Sequence, residues 1–567
     1  MKRPNPNFEP TLIERALSYV APQKAQIMLR DRLKFEATAV MGRGFGGYIG
    51  ARRDRSATAD WNPGGGSPAV DVLPDLPMLR DRSRDQMRNA PVALGALNTD
   101  VLHVVGTGLS YTPAIDAQRL GLTEEQAQDW MQNTKWRFKA WAESPDCDYR
   151  RQLDFYSLTE LAYRAWKESG DSFVLTPIVS RNGEDALALQ VIEADRVSNP
   201  RGQQQSDTLQ DGIEMDADGV PIAVHISKNH PGDWRGTNEW ERRELRGPKT
   251  GRRNVLHLFD MLRPGQVRGV PWIAPIIEPL KQLGKWSDAE LNAAVVASIF
   301  VTFMEMDAEA FQDLYDDESA GRIINNAQKW SGNMESGKAV NLLPGEKANT
   351  QTPGRPNPEF DPFWNAMVRQ IGMALGMPIE VLTMHFQSSY TAARGALLMA
   401  WRNFNQRRDK MAKLFCQPVL ELWLSNEVSQ GRIACPGFFA DRAIRAAWCA
   451  SMWTGDGPGS VDPLREVTAA EKRVDMEIST LQAESILHDG QDWEAKHRQR
   501  TKEVALQKRD GTAPAAAPGT APVNADPSVD PNADPNADPN APADKTDDPA
   551  NDQQDDNAAE LQRRLRR

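Results

Sequence analysis

The sequence predicts an α+β fold that is mainly helical and ends in an acidic tail. Helix-start patterns recur through the first 510 residues, strand-like segments cluster between Phe173 and Phe259, and no aromatic residue follows Gly511. With 567 residues the chain exceeds what one hydrophobic core usually organises. We therefore expect two or more packed units and an appended tail.

The helices are indicated by their starts. Ser or Thr followed three residues later by Glu, the capping-box pattern, occurs at Ser157, Ser287 and Thr468, each before apolar residues at helical spacing. An aspartate precedes a proline at Asp361 and Asp462, which is typical of a cap and the first helical position. The sequence therefore predicts at least five helices that begin at these positions.

Four segments have the apolar, β-branched character of strands. They are separated by Gly, Pro, Asp and Asn, as in a small antiparallel sheet. The segments are Phe173–Thr176, Leu187–Ile192, Val220–Ile226 and Asn254–Phe259.

The stretch from Ser287 to Met306 reads as one helix with two apolar stripes. One stripe carries Leu291, Val295, Ile299 and Phe303, and the other carries Val296, Phe300 and Met304. A helix that is apolar on more than one side packs between neighbours. Those neighbours are either the core of the same chain or adjacent subunits, and both arrangements remain open.

Composition excludes several classes of protein. The longest apolar run, Ala293–Met304, is far shorter than the roughly 20 residues of a membrane helix, and no apolar stretch follows the basic N-terminus, so we expect neither a membrane segment nor export. The cysteines lack short spacings, which indicates buried, reduced thiols. They are Cys147, Cys416, Cys435 and Cys449.

Charge is concentrated in the tail. The net charge is −11, and the residues from Gly511 onward contain eleven acidic against five basic side chains. The tail repeats Asp-Pro-Asn-Ala from Asp530, which predicts a solvated, disordered segment at 511–567. Its last residues, Leu561–Arg567, reverse the charge and are suited to docking on a partner. The overall balance argues against a broad basic face that grips nucleic acid.

Two glycine-rich segments resemble phosphate-binding loops but fail in context. Gly42–Gly47 matches G-x-G-x-x-G, yet a helical pattern precedes it, so we expect a surface loop. Gly332–Ala339 ends in Ala where a P-loop needs the Mg²⁺-binding Ser or Thr, so we expect a polar turn. No zinc-type histidine pair and no nucleophile elbow occurs either. The sequence predicts no enzyme, no cofactor and no metal site.

A basic segment with interleaved aromatics spans Arg394 to Lys413. Such a pattern indicates either nucleic-acid contact or, more commonly, a solvated face above a core stripe. The residues concerned are Arg394, Arg402, Arg407, Arg408, Lys410 and Lys413 with Trp401, Phe404 and Phe415.

Segments from about residue 70 to 505 resemble, in order, the lambda family of phage portal proteins. The densest is Leu258–Ala294; the others are Leu79–Asn89, Val104–Gly108, Glu168–Phe173, Val191–Val197, Gly212–Pro221, Leu375–Leu382, Ser388–Arg394 and Asp462–Glu466. Ser389–Arg394 departs from the family's usual Tyr-Ser-Ser-Ala-Arg.

The resemblance implies a portal fold that assembles into a ring, usually of twelve copies, at one capsid vertex. Implied partners are the terminase large subunit, major capsid and scaffold proteins, head-completion and tail proteins, and double-stranded DNA bound without sequence preference. The implied location is the virion, after assembly in the bacterial cytoplasm. The implied regions are an arm at 1–69, wing at 70–268, stem helix at 269–306, clip at 307–358, returning stem helix at 359–382, tunnel loop at 383–390, wing and crown helices at 391–510, and the tail.

The tunnel of such a ring should bind DNA weakly, because each neutralised phosphate adds affinity and would slow a moving genome. We therefore predict that a mostly uncharged set lies near the DNA: Gln387, Ser388, Ser389, Tyr390 and Arg394. The alternatives are another structural protein of the virion or a DNA-packaging enzyme.

Overall fold

The computed structural model describes residues 60–298, 302–306, 346–350, 357–386, 389–458, 463–510 and 512, except 62, 182 and 234–238, together with 19, 21–24 and 30. The chain divides into two compact units, residues 1–496 and 497–567. All elements below lie in the first unit, except that the last helix continues into the second.

Helices make up most of the described chain. In order they are α1 Pro68–Val72, α2 Leu76–Asn89, α3 Pro91–Val104, α4 Ala117–Leu120, α5 Glu124–Ala142, α6 Phe155–Ser169, α7 Ile277–Ser298, α8 Phe360–Leu375, α9 Ile379–Thr383, α10 Tyr390–Met411, α11 Gln417–Ser429, α12 Arg442–Trp448, α13 Pro463–Asp475, α14 Leu481–Asp489 and α15 Trp493–Arg509. A π-helical turn, Ala412–Cys416, joins α10 to α11 without a break.

The strands pair only in antiparallel fashion among the described residues. They are β1 Ser110–Pro113, β2 Asp171–Leu175, β3 Ile178–Arg181, β4 Glu184–Leu187, β5 Gln190–Ile192, β6 Leu209–Gln210, β7 Ile213–Met215, β8 Pro221–Ser227, β9 Trp240–Glu244, β10 Val255–Phe259, β11 Thr302–Met306, β12 Glu346–Thr350 and β13 Ser451–Thr454. The sheet orders are β10-β2-β5, β6-β7-β8-β9, and the pairs β3-β4, β1-β13 and β11-β12.

Two apolar clusters hold these elements together. The larger is formed mostly by helices and includes Phe138, whose ring lies 4.9–5.6 Å from those of Tyr111, Trp141, Phe155 and Trp423. The smaller lies between the three-stranded and four-stranded sheets and contains Phe173, Ile192, Ile213, Val224 and Val255 among others.

A buried charge cluster joins α2, β2 and the segment before α7. Asp171 and Arg268 are fully buried, and their ion pair is 2.6 Å long. Arg80 of α2 reaches the same carboxylate at 3.2 Å, and Arg268 also pairs with Asp211 at 2.7 Å. Burial alone would raise the pKa of Asp171, but the guanidinium groups of Arg268 and Arg80 hold it well below its usual range. The carboxylate therefore stays charged inside the fold.

The predicted α+β, mainly helical class is confirmed, and all four strand segments contain strands. They do not form one sheet, because β5 and β10 flank β2 while β8 pairs with β7 and β9. The predicted Leu187–Ile192 strand is divided between β4 and β5.

The helix starts were predicted less well. Ser157 and Thr468 lie inside α6 and α13, and Ser287 lies in the middle of α7. The true cap of α6 is Asp154, whose carboxylate accepts the Ser157 amide at 2.7 Å. Asp361 lies within α8, since that helix begins at Phe360. The start of α13 at Pro463 agrees with the prediction, and its proposed cap Asp462 lies outside the described residues.

The predicted helix through Met306 is wrong at its end. Residues Ile277–Ser298 are helical, but Thr302–Met306 form β11, paired with β12. The β-branched and aromatic residues of β11 suit a strand. Residues four apart share a face in a strand as well as in a helix, so over five residues this spacing does not distinguish a strand from a helix. The returning helix also stops at Leu375 rather than 382, because Gly376 takes a left-handed conformation (φ 69°) and Pro378 follows.

The remaining predictions have mixed outcomes. All four cysteines are buried, and burial raises the pKa of Cys147 to about 12. The glycine-rich segments Gly42–Gly47 and Gly332–Ala339 lie outside the described residues, as do most of the arm, the clip and the tail.

Candidate functional site

The candidate site is built on α10, the helix that follows the predicted tunnel loop. Its middle is fixed to the turn between α8 and α9. The Asn403 side-chain amide donates to the Gly376 carbonyl oxygen at 2.8 Å, and Arg407 donates to the Leu375 carbonyl oxygen at 2.5 Å. A Cβ on Gly376 would lie 3.0 Å from the Asn403 amide nitrogen. Both the positive φ and this close approach therefore favour glycine.

Arg407 also ties α10 to α3 and α6. Its guanidinium pairs with the buried Asp100 and lies 5.0 Å from the centre of the Trp272 ring. The Tyr163 hydroxyl donates to Asp100 at 2.6 Å. Burial and the Asp100 charge raise the pKa of Tyr163, so its hydroxyl remains a donor.

Other cations of α10 are also engaged by the protein. Arg408 donates to the carbonyl oxygens of His103 (2.7 Å), Val104 (3.1 Å) and Asp456 (3.0 Å). Lys410 pairs with Asp260 at 2.8 Å. Phe404 and Phe415 are buried and Trp401 is half-buried, so the aromatics of this segment are core residues. The interpretation as a core stripe is supported, although Arg407 and Arg408 face inward rather than toward solvent.

The described residues between α9 and α10 are exposed, unlike the anchored middle of α10. Val381 and Leu382, which precede them in α9, are buried. Met384, with φ 54°, ends α9, and the exposed residues that follow are His385, Phe386 and Ser389. Gln387, Ser388 and the Tyr390 side chain lie outside what is described. The structure brings Ser389 to the N-cap of α10, five residues from Arg394.

Arg394 lines a groove between α10, α13 and α14. The groove has a volume of about 350 Å³ and a largely apolar lining that includes Leu397, Trp401, Val467 and Leu487. Arg394 itself pairs with Glu466 at 3.5 Å. Sequence reasoning missed this groove because its walls come from separate helices, and no local pattern marks their meeting.

Neither a metal-binding group of side chains nor a membrane-spanning helix occurs in the described part of the chain. There, no group of three or more His, Cys, Asp or Glu side chains is placed to hold a metal ion. Likewise, none of the described helices combines the length and apolar character needed to cross a membrane.

Known phage proteins are similar to this chain in sequence. It is 24% identical to portal protein B of Escherichia phage lambda over 84% of this chain and 90% of that protein, and 24% identical to the portal protein of Escherichia phage N15 over 84% and 91%. A chain in the neck of an empty GTA particle, computed with C6 symmetry, aligns with a TM-score of 0.41 at 13% identity, covering 69% of this chain and 96% of that one. The family model "Phage portal protein, lambda family" matches residues 54–408. Because this match covers well over half of the sequence, the chain belongs to the lambda family of phage portal proteins.

Proposed function

We propose that this protein forms the ring at a single capsid vertex through which double-stranded DNA enters and leaves the head. The observation that carries the proposal is the family match, which spans α7, the loop at 383–390 and most of α10. Twelve copies is the number that family membership favours. Such a ring would act as a structural conduit, with no catalytic step of its own.

The exposed side chains of α7 support an assembly. Leu291 is 65% exposed and Val295 is 55% exposed in the single chain. They lie four residues apart and so share one face of the helix. Apolar side chains grouped on one face of a helix are typical of an interface, and a repeated head-to-tail interface closes into a ring. This favours adjacent subunits as the neighbours of α7.

The loop before α10 has the low positive charge expected of a surface that DNA slides past without binding tightly. No Lys or Arg occurs between Thr383 and Tyr390, and Arg394 is partly neutralised by Glu466. Since each phosphate contact adds affinity, a duplex passing such a surface would be held weakly. We assign Gln387, Ser388, Ser389, Tyr390 and Arg394 to the neighbourhood of the DNA on this basis.

Partners follow from the same proposal. The clip at 307–358 would face the packaging motor, whose large terminase subunit supplies the ATPase. Head-completion and tail proteins would dock on the finished vertex, and capsid and scaffold proteins would assemble around the ring in the bacterial cytoplasm. The mature location is the virion.

Electron microscopy of the purified protein tests the ring. End views with a central hole and a single mass near a dozen subunits are expected. Shells or monomers at all concentrations would contradict the proposal, and ATP hydrolysis that depends on Lys338 would favour a packaging enzyme.

A cross-linking experiment tests the loop. A photoreactive amino acid at Ser389 should cross-link to DNA in filled particles, whereas the same group at Trp136, an exposed residue of α5, should not. Equal cross-linking at both positions, or none at Ser389, would remove the loop from the tunnel.

A further inference from the structure

A short hairpin between β9 and β10 carries positive charge that the rest of the fold does not neutralise. Residues 245–254 turn back on themselves, with Arg246 and Arg253 opposite each other in an antiparallel bridge. The Gly247 amide donates to the Arg252 carbonyl oxygen at 2.8 Å and closes the turn. The segment contains four basic residues and no acidic one, and we call it the basic hairpin.

The base of the basic hairpin is fixed to the body of the protein. The hydroxyl of Thr176, just after β2, donates to the Arg253 carbonyl oxygen at 2.7 Å. The Arg252 guanidinium donates in turn to the Thr176 carbonyl oxygen at 2.5 Å. The hairpin therefore presents its other cations, those of Arg246, Lys249 and Arg253, from a fixed base.

Elsewhere in the four-stranded sheet, basic side chains are paired with acidic ones. The pairs are Arg242 with Glu214, Arg243 with Glu241 and Lys228 with Glu239. By contrast, Arg246, Lys249 and Arg253 form no ion pair within the described part of the chain. Like charges directly opposite each other in a hairpin are destabilising, so a bound anion would relieve the repulsion between Arg246 and Arg253.

The acidic residues at this end of the sheet do not cancel the charge. Glu244, which precedes the hairpin, is paired with Arg242 at 3.6 Å. Asp216, in the turn between β7 and β8, accepts two amides of its own turn at 2.8 and 3.0 Å. Asp207 precedes β6, three strands from β9, which is about 14 Å away and beyond the Debye length of about 8 Å in physiological salt. Among the described residues, that leaves the exposed Asp218 against the unpaired cations of the hairpin.

The tip of the hairpin has the chemistry of a phosphate-binding surface. Residues Arg246–Gly251 include no Leu, Ile, Val, Met or aromatic side chain. Protein interfaces have an apolar core from which lysine is depleted, whereas nucleic-acid phosphates are bound by Arg, Lys and Thr side chains. The exposed apolar residue Ile222 accepts the Leu245 amide at 2.9 Å, so its side chain lies on the other face of the sheet from Arg246. The hairpin therefore favours a duplex phosphate backbone over an acidic protein.

The strength of such a contact bears on where DNA would meet it. Unpaired cations repeated around a ring would hold a duplex and oppose its passage, because each neutralised phosphate adds affinity. The hairpin is thus suited to DNA at rest against the outside of the ring, whereas the nearly uncharged loop at 383–390 is suited to DNA in transit.

We propose that the basic hairpin binds the phosphate backbone of double-stranded DNA without sequence preference, as a second DNA contact apart from the loop at 383–390. Arg246, Lys249 and Arg253 make the contact. The inference rests on the proposed portal role, which supplies the DNA.

Binding of a short fluorescent duplex to the purified full-length protein tests this contact. Replacing Arg246, Lys249 and Arg253 together with alanine should weaken binding at least tenfold. The slope of log affinity against log salt concentration should become shallower by about 2 to 3, since each lost phosphate contact changes it by about 0.9. Absence of duplex binding by the natural protein, or an unchanged slope, overturns the proposal.

The matched control removes the same charge from the same sheet. Lys228, Arg242 and Arg243 are replaced together with alanine; these side chains are already paired within the protein. Binding should change by less than threefold. Equal losses in the two triple variants would mean that only net charge matters, and the proposal would fail.

Two further measurements separate charge from shape and DNA from protein. The variant with Arg246→Lys and Arg253→Lys keeps the charge and should retain at least half of the affinity; a loss as large as that of the alanine variant overturns the proposal. Polyglutamate of matched charge should displace the duplex poorly. Hairpin-dependent binding of polyglutamate without binding of duplex would assign the surface to an acidic protein instead.

Electron microscopy of the same preparation separates this inference from the ring itself. Rings whose duplex binding does not depend on the hairpin overturn the hairpin contact and leave the portal role standing. Hairpin-dependent binding by protein that forms no rings supports the contact and contradicts the portal role.

Discussion

At the scale of single residues, the buried cluster around Asp171 leaves little freedom to its neighbours. Gly269, next to Arg268, packs so tightly that a Cβ there would lie 1.9 Å from the Gly170 carbonyl oxygen and 2.9 Å from the Phe259 Cβ. The first of these atoms belongs to the backbone, so no rotamer change can relieve the contact. Glycine at this position is a steric requirement of the cluster.

Substituting Gly269 should therefore be costly. Gly269→Ala is expected to lower the free energy of unfolding by at least about 2 kcal/mol through overpacking. The matched control is Gly284→Ala in α7, where a Cβ meets nothing within 4 Å. That change should raise stability by roughly 0.5–1 kcal/mol, since alanine is the better helix former. Denaturant unfolding measures both, and similar effects of the two would contradict the steric argument.

His257 should make stability depend on pH. Burial lowers its pKa although Asp171 lies 3.2 Å away, and Arg268 and Arg80 lower it further. The unfolded histidine, with a pKa of about 6.5, then binds a proton that the folded one does not, so stability falls as the pH drops below about 6.5, by up to roughly 1.4 kcal/mol per pH unit. Asp171 stays charged in this range, since its pKa is held low.

The variant His257→Gln isolates this effect. Its unfolding temperature should change less than that of the natural protein between pH 7 and 5, even if it is lower throughout. Thermal unfolding at several pH values measures the difference. Parallel curves would mean that other groups cause the pH dependence.

At the scale of elements, strands were predicted more accurately than helix starts. β8 and β10 agree with their predicted segments to within one residue, because alternating apolar residues between turn residues are a local property. The capping-box pattern, Ser or Thr followed three residues later by Glu, is also local, but in α6 and α7 it lies inside the helix because packing against the rest of the fold extends the helix toward its N-terminus. α7 begins ten residues before Ser287, and Leu280 and Leu283 in that added length are buried. A true capping box, formed by Thr123 and Gln126 at the start of α5, went unnoticed.

Helix α6 allows its observed N-cap, Asp154, to be compared with Ser157, which matches the capping-box pattern but lies inside the helix. Asp154→Ala removes the carboxylate that accepts the Ser157 amide and should cost about 1 kcal/mol of stability. Ser157→Ala keeps that amide and should change stability by less than about 0.5 kcal/mol, because Ser157 is an exposed residue inside the helix. Thermal unfolding of the two variants shows which one loses more stability. A larger loss of stability for Ser157→Ala would mean that Ser157, rather than Asp154, caps the helix.

At the scale of the whole molecule, the family could be identified from ordered sequence segments, whereas the charge cluster and the groove could not be predicted. Arg80, Asp171 and Arg268 are about 90 residues apart along the chain, and nothing local to any of them indicates the others. The groove likewise combines α10 with helices about 70 residues further on. Helix α9 ends at Thr383 and α10 begins at Tyr390, and the assignment of 383–390 to a tunnel loop stays a prediction.

Ring formation gives a prediction at this scale. Leu291→Glu together with Val295→Glu should place charges in the proposed interface and shift the protein from rings to single chains. Folding should survive, because both side chains are exposed in the single chain. Asn292→Glu, at an exposed position between them, is the control that should still form rings. Mass photometry at equal concentrations reads the outcome, and rings of normal mass from the double variant would exclude α7 from the interface.

The buried charge cluster also determines when, during synthesis, the sheet around β2 can fold. Arg80 and Asp171 leave the ribosome long before Arg268, and a carboxylate buried without its 2.6 Å partner Arg268 keeps only the longer 3.2 Å pair with Arg80, which is destabilising. The sheet around β2 is therefore unable to close until residue 268 has emerged, by which time β10 is also available. Nascent chains halted at residue 250 should remain sensitive to protease in this region, and chains halted well beyond residue 300 should be protected. The sheet around β2 is built to fold as one late event rather than strand by strand.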